Sequence, residues 1–127
     1  MRLLLDTHIA LWAITAHPSM PARATELILE ADAVFVSAAS VWEISIKHTL
    51  KPSHMSISGQ QALSEFQAAG FSLLAISPAH AAAVDSLAAY HRDPFDRMLI
   101  AQAMHEPLRL LTCDRQFAAY SELVQLV

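Results

Sequence analysis

Asp93 and Asp96 stand three residues apart around Pro94 in AYHRDPFDRMLIAQA (89–103), just ahead of an apolar run. On a helix, Asp96 shares its face with Leu99, Ile100 and Ala103, and that face is apolar. A carboxylate within such a stripe is costly unless a cation or hydrogen-bond donors meet it. Asp93 has no such conflict. It precedes Pro94 at a helix start, where its side chain accepts the N–H of Asp96. The spacing therefore assigns Asp93 mainly to capping and Asp96 to function.

Other acids fall where a ligand could be met. Asp6 directly follows RLLL (2–5), Asp114 follows LRLLT (108–112) by one residue, and Glu43 lies in the helical pattern after AVFV (33–36). In an open parallel sheet, ligands bind outside the carboxyl ends of the strands. Asp6, Glu43, Asp96 and Asp114 are thus expected to meet at one sheet edge. Singly, each has an ordinary reading too. Asp6 and Asp114 suit N-caps, and Glu43 suits an exposed pair with Lys47, worth about 0.3–0.5 kcal/mol. Together, the carboxylates would repel and raise one another's pKa, a conflict that a divalent cation resolves. Mg²⁺ and Mn²⁺ take hard oxygen ligands, and such a site can activate water for phosphodiester cleavage.

The elements that must position these acids alternate along the chain. RLLL, AVFV, FSLLAI (71–76) and LRLLT are continuous apolar or β-branched runs, as strands buried on both faces should be, and LVQLV (123–127) adds a fifth candidate. Helical periods fall at 8–16, 22–31, 38–50, 58–69, 78–90, 94–105 and 115–121. Proline and glycine support the boundaries, with Pro78 and Pro94 at first helical turns and Gly70 at a helix C-terminus. The expected fold class is α/β: a single domain over residues 1–127, with a central, mostly parallel sheet flanked by helices.

Composition narrows the function. Of 127 residues, 54% are hydrophobic and 16% charged, which excludes a mainly disordered chain. A formal charge of −4 argues against coating nucleic acid through a broad basic face, but not against a local metal-assisted contact. No apolar run approaches the roughly 18–20 residues that span a bilayer, and Asp6 interrupts the leucines that would begin a signal peptide. With one cysteine there is no internal disulfide, and the chain reads as cytoplasmic. Trp12 and Trp42 read as core or dimer-face packing, and Cys113 as a buried, inert thiol.

Two tempting motifs fail. HRD (91–93) would need an Asn at position 98 to match a protein-kinase loop, and that residue is Met98. None of the 7 histidines forms an HExxH, and Cys113 has no CxxC partner.

Four segments together carry a resemblance. Asp6 in LLLDTHIALW, Glu43 in VSAASVWEISIK, Asp96 in HRDPFDRMLIAQA and Asp114 in LLTCDRQF resemble the four acidic motifs of PIN-domain nucleases. The wording is most similar to small bacterial proteins of the VapC type, the toxins of type II toxin–antitoxin pairs. The resemblance implies a Mg²⁺- or Mn²⁺-dependent endoribonuclease, a homodimer restrained by a small antitoxin. It implies that Asp6, Glu43, Asp96 and Asp114 are catalytic and metal-binding, with Thr7, Ser40 and Thr112 as supporting hydroxyls. Asp93 belongs to the DPFDR variant of the third motif, and its approach to the metal stays open. Arg92, Arg97 and Arg115 flank the acids as candidate contacts to RNA phosphates, or else are solvated or paired with Asp93 and Glu122.

Two rivals remain at this level. A metal-dependent phosphatase would use Asp6 as a nucleophile, but DTH lacks the second Asp expected two residues on. A non-catalytic binding module of the same fold would leave the acids structural.

Overall fold

The computed structural model describes residues 1–127. Its strands are β1 (Arg2–Leu5), β2 (Ala33–Ser37), β3 (Ser72–Leu74), β4 (Arg109–Thr112) and β5 (Val124–Leu126). They form one sheet in the order β3-β2-β1-β4-β5, and every pairing is parallel. The helices are α1 (Thr7–Thr15), α2 (Ala22–Glu30), α3 (Ala38–Leu50), α4 (Gly59–Ala68), α5 (Pro78–Ala83) and α6 (Pro94–His105).

Side chains alternate across the sheet, and both faces are covered. Leu3 and Leu5 point into one core with Ile9, Leu27, Ile44 and Phe66, while Leu4 points into the other with Leu99, Ile100 and Phe117. Leu110 and Leu111 divide between the two cores in the same way. This explains why the strands read as unbroken apolar runs.

β1 is flanked by β2 on one side and β4 on the other, so the strand order reverses beside it. A crevice opens beyond the strand ends at such a reversal. The Asp6 N–H donates to Leu111 O across this point at 3.0 Å, joining the ends of β1 and β4.

Local rules set the helix boundaries. Ser58 and Gln61 form a reciprocal capping box at the start of α4, and Ser77 and His80 form one at α5. Gly70 adopts φ 84° behind α4, as its place in the sequence requires. Gly59 has a different role. A Cβ built there would come within 1.8 Å of Ser45 Oγ, so α4 approaches α3 closely only because that side chain is absent.

Some expected boundaries move. The helix expected over 78–90 stops at Ala83, passes through a 3-10 turn (Val84–Ser86) and opens into a loop. The helical pattern at 115–121 contracts to a 3-10 turn, Arg115–Phe117. β3, at the sheet edge with one neighbour, is shorter than the run FSLLAI.

Candidate metal centre at the strand ends

Asp6 occupies the N-cap position of α1 with extended backbone, yet its side chain makes no capping hydrogen bond. Instead its Oδ2 accepts a hydrogen bond from Thr112 Oγ1 at 2.7 Å. The same Thr112 oxygen accepts the Asp114 N–H at 3.0 Å, so one hydroxyl ties together two strand-end acids. Thr7 and Ser40 share a buried hydroxyl–hydroxyl bond of 2.8 Å that joins the starts of α1 and α3. Capping is thus not what holds Asp6 here.

Glu43 lies one and a half turns into α3, whose start is capped by Ser37 accepting from the Ala39 N–H. Its Oε2 meets Lys47 Nζ at 2.6 Å. This is the expected i, i+4 pair, but it is not an exposed one: the Glu43 side chain is only 5% exposed. Its Oε1 is buried with no hydrogen-bond partner. Burial would lower the Lys47 pKa, but its hydrogen bond to Glu43 and the charges of Glu43, Asp93 and Asp96 outweigh that and raise it. Lys47 therefore faces the acid cluster, a position that spacing on α3 alone does not reveal.

α6 begins as its sequence requires. Asp93 Oδ1 accepts from the N–H groups of Phe95 (2.9 Å) and Asp96 (3.1 Å). Leu99, Ile100 and Ala103 are buried along the stripe that Asp96 heads. Burial, followed by the negative charges of Asp6, Asp93, Glu43 and Asp114, pushes the Asp96 carboxyl up to about 8. Burial, only partly offset by the Thr112 hydrogen bond, also raises Asp6. The like charges expected from sequence do converge.

His91 joins them, a residue that spacing does not single out although it stands two residues before Asp93 in the same motif. Its Nε2 lies 3.0 Å from Asp96 Oδ2 and 3.1 Å from Asp114 Oδ2. Asp114 also uses Oδ1 to accept the Gln116 N–H at 2.9 Å, so its capping reading holds alongside the site reading.

The arginines separate. Arg92 and Arg115, which flank the acids in sequence, are exposed. Arg97 turns away from any substrate: its Nη1 donates to Ala88 O and His91 O, and its Nη2 to Val84 O and Leu87 O, at 3.0–3.3 Å. The guanidinium fork ties together the carbonyls of the segment that follows α5, where Val84 O also accepts the Leu87 N–H and Ala88 O the Tyr120 hydroxyl. Cys113 is exposed rather than buried. Its thiol is pushed up by partial burial and by the Asp6 charge, which disfavours a nucleophilic thiolate. Trp12 packs against the core, whereas Trp42 is 59% exposed and meets Phe95 edge-on, so a core role fails for Trp42.

The donor set fits a hard divalent cation. It consists of carboxylates with supporting hydroxyls, one buried carboxylate oxygen lacks any donor, and burial together with the surrounding negative charge raises the Asp96 carboxyl.

A family model described as PIN domain matches residues 3–123. No curated protein sequence matches the chain. Among solved structures, VapBC2 from Rickettsia felis, bound to a promoter DNA fragment, superposes with a TM-score of 0.70 at 17% identity, covering 100% of this chain and 98% of that one. DNA-bound VapBC from Salmonella typhimurium gives 0.68 at 15% identity, covering 100% and 97%. Mycobacterium tuberculosis VapC20, described as a Sarcin-Ricin loop cleaving toxin, gives 0.60 at 16% identity, covering 94% and 97%. At these identities the likeness extends to the fold.

Proposed function

Because the chain belongs to the PIN domain family, we propose that it is a metal-dependent endoribonuclease and the toxin of a type II toxin–antitoxin pair. The observation that carries the reading is the excess of carboxylate at the switch point, where Glu43 Oε1 has no donor and Asp96 is pushed up to about 8.

Asp6, Glu43 and Asp96 would hold Mg²⁺ or Mn²⁺, with Asp114 completing the acidic group. A bound divalent ion there supplies neutralisation of the acids and Lewis acidity toward a water and the scissile phosphodiester. The chain's own groups prepare that chemistry. Thr112 orients Asp6 through its hydrogen bond to Oδ2. The Thr7–Ser40 bond holds the helix starts that carry Asp6 and Glu43 in place. Asp93, by capping α6, directs Asp96 toward the cluster. To hold an ion Asp96 would have to release its proton, so loading would be favoured as pH rises toward about 8. Arg92 and Arg115, exposed beside the acids, suit contacts to RNA phosphates.

The similar structures from Rickettsia felis and Salmonella typhimurium are VapBC assemblies, which supports a small antitoxin as partner. The exposed Trp42 beside Phe95 suits a homodimer face. No helix is long and apolar enough to cross a membrane, in keeping with action in the cytoplasm.

Incubating the purified protein with total RNA and Mn²⁺, then mapping the ends, tests the assignment. Cleavage should stop in excess EDTA and in Asp96→Asn. Persistence of full activity in either would sink the mechanism.

A further inference from the structure

We propose that His91 fills the position a second cation would take, so that each chain holds one divalent ion rather than two. This inference rests on the metal-dependent reading above. The Nε2 atom of His91 and the facing oxygens of Asp96 and Asp114 all lie within 4.8 Å of one another. Two carboxylates that would otherwise need an ion between them have an imidazole there instead.

The ring is held in that place from several directions. Its Nδ1 accepts the Asp93 N–H at 3.2 Å, and its face meets the Phe117 ring edge-on at 5.4 Å. The His91 N–H donates to Tyr120 Oη at 2.7 Å, and the His91 carbonyl accepts from Arg97 Nη1 at 3.2 Å. Arg97 and Tyr120 therefore act on the site at a distance, by fixing the backbone that presents the ring.

Hydrogen bonding also decides what the ring offers the acids. With Nδ1 engaged as an acceptor, the proton of the neutral imidazole is assigned to Nε2. An Nε2–H group has no lone pair for a metal, so His91 meets the acids as a donor and not as a ligand: it donates to Asp114 Oδ2 at 3.1 Å, with Asp96 Oδ2 lying 3.0 Å away. Each Asp114 oxygen then has a donor, Oδ1 the Gln116 N–H and Oδ2 the His91 ring. The unanswered charge lies on the other side of the cluster. There Glu43 Oε1 is buried without a partner, and Asp6 is buried with Oδ2 held by Thr112. One ion among Asp6, Glu43 and Asp96 answers that charge, and His91 answers the rest.

Mn²⁺ is the probe. Calorimetric titration and the loss of the free-ion EPR signal should both give one Mn²⁺ per wild-type chain. His91→Ala should raise the count to two, and His91→Gln, which keeps a side-chain N–H donor, should return it to about one. Pulsed EPR of the wild-type Mn²⁺ complex should carry no imidazole nitrogen coupling. Two ions in the wild type, or a nitrogen coupling abolished by His91→Gln, overturns the proposal while leaving metal dependence standing. No Mn²⁺ binding at millimolar concentration overturns both. The wild-type count and the nitrogen coupling decide the matter even if His91→Ala does not fold.

Discussion

Two histidines meet carboxylates in this protein, and their surroundings differ. His80 is buried behind α6, with Nε2 on Glu106 Oε2 at 2.6 Å and Nδ1 accepting the Ser77 N–H at 3.0 Å. One imidazole faces one acid, and Nδ1 also lies 3.4 Å from Gln102 Nε2. Nearby Gln102 leaves its Oε1 without a partner, but that is a neutral dipole and not a charge. His91 instead places one N–H before two acids, with Asp6, Glu43 and Asp93 adding their charge at Asp96. The difference teaches how to separate structure from function when both use the same residue types. A matched pair stabilises a fold, whereas surplus charge of one sign that the chain itself cannot neutralise marks a place for something else.

The largest effect should come from removing that surplus charge. Asp6→Asn or Asp96→Asn should lower RNA cleavage at least about 10²-fold, with an unchanged circular dichroism spectrum. The reverse pattern should hold at His80. His80→Ala should cost about 2–4 kcal/mol of stability through lost packing and an orphaned Glu106, while Mn²⁺ affinity per folded molecule stays the same. Equal loss of ion binding at both sites would erase the contrast.

A titration sharpens it further. Asp96 is raised from 3.8 to about 8, so between those values the fold keeps a proton that the unfolded chain has released. Stability of the metal-free protein is therefore full below about 4 and falls as pH rises toward 8, by up to about 1.4 kcal/mol per unit. Asp96→Asn should flatten that slope, and Mn²⁺ should reverse it. Denaturant melts at pH 5, 6.5 and 8 would measure both. A wild-type slope unchanged by the substitution would remove Asp96 as its source.

The smallest effects concern the arginines. Arg97→Ala should destabilise by about 1–3 kcal/mol, because the Leu87 and His91 carbonyls lose their donor and those of Val84 and Ala88 lose one of two. Arg92→Ala should leave the melting temperature unchanged and raise KM for RNA a few-fold. A melting shift for Arg92→Ala equal to that of Arg97→Ala would show that exposure does not separate their roles.

Much of this is legible along the chain because it depends on near neighbours. Asp93 and Pro94 specify the start of α6, and the start of a helix determines where a residue three positions later points. The apolar stripe from Leu99 to Ala103 then makes Asp96 anomalous on spacing alone. His91 lies in the same motif but is obscured, since HRD invites comparison with a catalytic loop that Met98 rules out. Its role depends on Asp114, 23 residues away. Arg97 misleads for a similar reason: nothing in its vicinity announces that α5 stops at Ala83 and that the segment after it turns its carbonyls toward the guanidinium. Residue type places Cys113 inward and leaves Trp42 between core and dimer face, but type predicts average burial and not the side on which a particular residue emerges.

By itself the sequence determined the strands, most of the helix periods, the caps and the place of Asp6, Asp96 and Asp114 at strand ends or helix starts, because each follows from backbone sterics and hydrogen bonding within a few residues. Only the tertiary structure decided which charges share a site. Coulomb energy depends on separation through space, and the parallel order that brings β1 beside β4 makes Asp6 a neighbour of Thr112, 106 residues away.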